Sequence, residues 1–97
     1  MQVITVAKFT DLKEAKNLFR KYSRAYKNTD ITVALLAYDT IIGLSISKDL
    51  LKDDSKVLLI EHVPCLDCTI KQSDFINKLE IITNLLKTTW HSGWGNI

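Results

Sequence analysis

The residues with the most reactive chemistry are Cys65 and Cys68, spaced as Cys65-Leu66-Asp67-Cys68. Such a pair can cycle between dithiol and disulfide, or hold a metal ion with two thiolates. Thioredoxin-like redox work places the first cysteine at a helix N-terminus, where its thiolate is stabilised. Here the next helix signal comes only at Ser73, and the sole proline, Pro64, precedes the pair. For zinc, His62, Cys65 and Cys68 have compatible spacing and His91 offers a fourth donor, but structural sites more often join two such knuckles. The sequence therefore predicts two reduced, half-buried thiols and no metal centre. It contains no Ser-His-Asp arrangement, metal-type carboxylate cluster or phosphate-binding Gly-Lys loop.

A second pattern is electrostatic. Lys13, Lys16, Arg20, Arg24 and Lys27 recur at intervals of three and four, an arc of about 80° on a helical wheel. Like charges so spaced slightly destabilise a helix, so the stripe is either a solvated face or a contact surface for carboxylates or phosphates. Residues 1–28 hold seven Lys/Arg against Asp11 and Glu14, net +5, whereas residues 29–97 are net −3. An acidic protein surface is thus a better partner than nucleic acid, because the rest of the chain would repel a long polyanion. Near the C-terminus, Trp90 continues an apolar helix face, and Trp94, beside glycines, is a candidate exposed anchor.

These groups need elements to hold them. The 97 residues, 46% hydrophobic and 25% charged, suit a single domain spanning 1–97. No apolar run reaches the roughly 18–20 residues of a membrane span, and no signal-peptide pattern opens the chain, so a cytoplasmic protein is expected. Ile, Lys, Asn and Thr are abundant, as in proteins of AT-rich phage or low-GC bacterial genomes. Gln2–Lys8 alternates as a strand, with Val3, Thr5 and Ala7 on one face. From Leu12 to Lys27 the apolar period becomes helical, through Leu12, Ala15, Phe19, Tyr22 and Tyr26. Ile31–Tyr38 and Ile41–Ser47 read as strands joined at Asp39-Thr40, with Gly43 marking a bulge or close approach. Val57 to Ile60 is a continuous apolar run, the mark of a strand covered on both faces. Ser73 is the expected N-cap of a last helix whose core face runs through Phe75, Leu79, Ile82, Leu86 and Trp90.

The order β-α-β-β-β-α, with the stretches VALLAYDTIIGLSI and VLLIEHVPCLDCTIKQSDFINKL, resembles the GNAT N-acetyltransferase superfamily. Ile41-Ile42-Gly43 is similar to the end of that family's hairpin, and Val63-Pro64 to the Val-x-Pro region of its fourth strand. The resemblance implies an α+β fold of two layers, with a mostly antiparallel sheet and helices packed on it. It further implies acetyl-CoA held by the backbone of Cys68, Thr69, Ile70, Lys71, Gln72 and Ser73, with Glu61 as general base. Read without the family, Glu61 is a rim residue at a strand end.

The coenzyme loop departs from the family pattern. A basic residue or Gln and two spaced glycines are replaced by Asp67, Cys68, Ile70 and Gln72, which adds a negative charge and two β-carbons where backbone must approach an anion. A small non-catalytic binding or regulatory protein, such as an inhibitor, is therefore expected, acting through the basic helix face. The alternative is a divergent acetyl-CoA-dependent N-acetyltransferase. An incomplete sheet edge also allows a homodimer.

Overall fold

A computed structural model describes residues 1–46, 50–52, 54–67 and 71–88. The chain forms β1 (Gln2–Phe9), α1 (Leu12–Ala25), β2 (Ile31–Ala37), β3 (Thr40–Leu44), β4 (Lys56–His62) and α2 (Gln72–Thr88). The fold is α+β, with one four-stranded mixed sheet ordered β1-β4-β2-β3.

Two expectations are corrected here. The sheet is not mostly antiparallel: β4 runs parallel to both β1 and β2, and only the β2–β3 hairpin is antiparallel. Nor are there two layers. Ala15 and Phe19 of α1 pack with Val33, Leu35 and Ile60, whereas Phe75 and Leu79 of α2 pack with Ala34, Leu36, Val57 and Leu59. Alternate residues of β2 and β4 therefore feed two cores on opposite faces. This explains why Thr32 through Leu36 are all buried and why Val57–Ile60 shows no polar alternation. A helix on each face requires three layers.

Smaller departures have local causes. In β1 the register shifts between Thr5 and Ala7, so Ala7 pairs with Ile60 and leaves the face it would share with Thr5. The shift at Leu35/Leu36 places the extra β3 residue at Ile42, next to Gly43. That is where a residue lacking Cβ predicts an irregularity. The hairpin loop is Tyr38-Asp39, closed by Ala37 pairing with Thr40. Tyr38 has φ 55°, so β2 ends before it. Among the described residues no helix is long and apolar enough to cross a membrane.

Candidate functional site

The outer face of α1 is built by the seating of its inner face. Asp11, extended at φ −103° and ψ 119°, caps the helix by accepting a 2.8 Å hydrogen bond from the Lys13 N–H. Ala15 and Phe19 are sealed against the sheet, with Leu18, Tyr22 and Tyr26 half-buried beside them. Tyr22 and Tyr26 meet edge to face at 6.1 Å. The helix stops at Ala25, two residues before the expected end. The Thr29 hydroxyl donates to the Tyr26 carbonyl at 2.6 Å, and Asn28 turns the chain at φ 65°. With the inner face fixed, Lys13, Arg20, Arg24 and Lys27 are exposed and Lys16 is half-buried. The structure thus brings the five predicted cations to one side. Lys21, exposed at the border of this face, extends it and was missed because it lies about 60° outside the arc of the five on the helical wheel. Arg20 also donates to the Asn17 side-chain oxygen at 3.5 Å.

A second group of polar residues gathers where the parallel strands end. Glu61 is only 1% exposed, so the rim expectation is overturned. It lies in the central strand, in register with Lys8 of β1 and Leu36 of β2, and strand alternation turns it to the face that α2 covers. Its neighbour His62 faces the other way. The His62 Nε2–H donates to the Thr10 carbonyl at 3.2 Å, since a carbonyl only accepts. Nδ1 is buried with no hydrogen-bond partner among the described residues. The Tyr38 ring lies against the imidazole, centroids 4.7 Å apart and planes tilted by 35°. Across the hairpin, Asp39 and Lys78 of α2 form a 3.8 Å ion pair. Thr10 stood out in the sequence only as an alternative to Asp11 for the cap of α1, and Tyr38 not at all; a non-glycine residue at positive φ has no signature in hydrophobic period.

The cysteine expectation is corrected. Cys65 is exposed and disulfide-bonded, and the chain has one other cysteine, Cys68, which lies outside the described residues. The expectation of free thiols rested on an assumed compartment, whereas two cysteines so close in the chain need no distant partner. A disulfide sulfur is not a thiolate donor, so Cys65 offers none, and the expected donors Cys68 and His91 lie outside the described residues. Among the described residues no cluster of His, Cys, Asp and Glu could hold a metal ion.

Of the candidate coenzyme residues, Cys68, Thr69 and Ile70 lie outside the described residues. Lys71 is exposed, and its carbonyl accepts from the Phe75 N–H at 3.1 Å, which makes it the start of α2. Gln72 and Ser73 are therefore inside the first turn, so Ser73 is not the N-cap. Trp90, His91 and Trp94 lie outside the described residues, as do the side chains of Ile82 and Leu86. No family model, curated protein or solved structure matches this chain.

Proposed function

We propose that this is a non-catalytic binding or regulatory protein that docks an acidic protein surface through the outer face of α1. The observation that carries the reading is the exposure of Lys13, Arg20, Arg24 and Lys27 on a helix whose opposite side is locked into a core. Because the inner face cannot rotate outward, the cations point outward as one surface. Repulsion within it costs about 0.2–0.5 kcal/mol per adjacent pair, and an acidic partner turns that repulsion into attraction and faster encounter. The burial of Glu61 supports a non-catalytic role, since a general base must reach substrate within hydrogen-bond distance. The GNAT resemblance enters this reading as that of a scaffold without its coenzyme chemistry.

The test is fluorescence anisotropy with two labelled probes, polyglutamate and duplex DNA, at low and physiological ionic strength. Polyglutamate should bind the wild type more tightly than DNA does. The double variant Arg20→Glu, Arg24→Glu should lose that binding while its stability stays within about 0.5 kcal/mol, as for other exposed substitutions. Preference for DNA would move the partner to nucleic acid, and unchanged binding by the variant would reduce the stripe to a solvated face. Acetyl-CoA separates the enzymatic alternative: a saturating coenzyme at about 100 times Kd would add roughly 2.7 kcal/mol of stability, and no rise in Tm is expected.

A further inference from the structure

At the end of the sheet opposite the His62 cluster, the N-terminal ends of β2 and β4 border an open cavity of about 770 Å³. That lies within the roughly 300–1,000 Å³ range of small-molecule sites. Its lining has three chemistries. Ile31, Ile46 and Leu50 supply aliphatic surface. Lys52 and Lys56 contribute two ammonium groups, and Asp30 and Asp54 contribute two carboxylates. Thr32 is the third component. It is 1% exposed, one of two buried polar or charged residues among those described, and it lines the cavity.

The four charges are the informative part. All four are exposed, and none forms an ion pair with a described residue. Lys52 and Ser55 are held by other bonds. The Lys52 N–H donates to the Ser55 hydroxyl at 2.8 Å, the Ser55 N–H donates to the Lys52 carbonyl at 3.0 Å, and the Gln2 N–H donates to the Ser55 carbonyl at 2.9 Å. Lys52 and Ser55 are thereby held to each other, and Ser55 to the start of β1. A cavity offering separate cations and anions, aliphatic walls and a sheltered hydroxyl is complementary to a molecule that is itself both charged and aliphatic.

We propose that this cavity binds a small zwitterion with an aliphatic side chain, a free amino acid of the leucine type. The lysines would receive the carboxylate, the aspartates the ammonium group, and the isoleucines and Leu50 the side chain, with the Thr32 hydroxyl completing the polar contacts. The site lies apart from the basic face of α1 and does not depend on its role.

Isothermal titration calorimetry with leucine, leucinamide and N-acetylleucine tests this on the intact chain. Leucine should bind, and the two derivatives, each lacking one charge, should bind at least about tenfold more weakly, the equivalent of about 1.4 kcal/mol. Lys52→Gln, at an exposed position, should weaken leucine but leave leucinamide unchanged, because leucinamide has no carboxylate to lose. Thr32→Val, nearly isosteric, should weaken leucine by up to about tenfold, as for one hydrogen bond. If that variant does not fold, Lys52→Gln decides alone. The proposal is overturned if leucine gives no saturable heat at millimolar concentration, if all three compounds bind alike, or if Lys52→Gln leaves leucine binding unaltered.

Discussion

Tyr38 holds a backbone conformation that a bulky residue adopts only at a cost, about 1–2 kcal/mol for the left-handed region. What offsets it is visible at two atoms' remove. The Tyr38 N–H donates to the His62 carbonyl at 2.9 Å, and the phenol ring covers the imidazole that ties β4 to Thr10. Hairpin, central strand and the entry to α1 thus meet at one ring pair. A double-mutant cycle with Tyr38→Ala and His62→Ala should give a coupling energy of about 0.5–1.5 kcal/mol, the range for close aromatic pairs. Denaturant titration of the four proteins measures it; additivity within error would mean that the rings touch without supporting each other. Tyr38→Gly should cost less than Tyr38→Ala, because glycine keeps the positive φ without strain while losing the same ring.

The elements show why sequence reading succeeds for segments and fails for their arrangement. The three-and-four spacing of Ala15, Phe19 and Tyr22 places the buried side of α1 correctly, whereas residue type alone allows Thr10 or Asp11 as its cap and the structure uses Asp11. Local period carries that information, since side chains one turn apart must share a face. The unbroken run Val57–Ile60 likewise marks a strand with both faces covered. Its consequence, a helix on either side, follows only once β4 is known to lie between β1 and β2, and strand order has no trace in local spacing. The buried state of Glu61 was hidden for the same reason: a strand end is a rim in an edge strand but an interior position in a central one. The cap is open to direct measurement. Asp11→Ala should destabilise the protein by about 1 kcal/mol through loss of the bond to Lys13 N–H, and Asp11→Asn or Asp11→Ser should restore most of it. Thermal unfolding of the three variants ranks them, and equal loss in all three would assign the effect to the carboxylate charge at the helix N-terminus rather than to capping.

For the whole molecule, the decisive fact is that two cores share the same two strands. Val33 and Leu35 belong to the α1 side, and Ala34 and Leu36, their neighbours in β2, to the α2 side; in β4, Ile60 and Leu59 divide in the same way. Neither helix can lose its seat without exposing a face of strands that the other helix needs. A domain of this size has a total stability of roughly 5–15 kcal/mol, and emptying one large aromatic site costs about 3–5 kcal/mol. Phe19 anchors one face at 3% exposure and Phe75 the other at 0%. Phe19→Ala and Phe75→Ala should therefore each lower the urea midpoint steeply while the transition stays single, with far-UV and near-UV signals coincident and the m-value unchanged. If instead Phe75→Ala gave two transitions, with helical signal surviving the first, α1 and the sheet would form a unit that α2 merely covers. Shared strands predict the first result, because the backbone that carries one core is the backbone that carries the other.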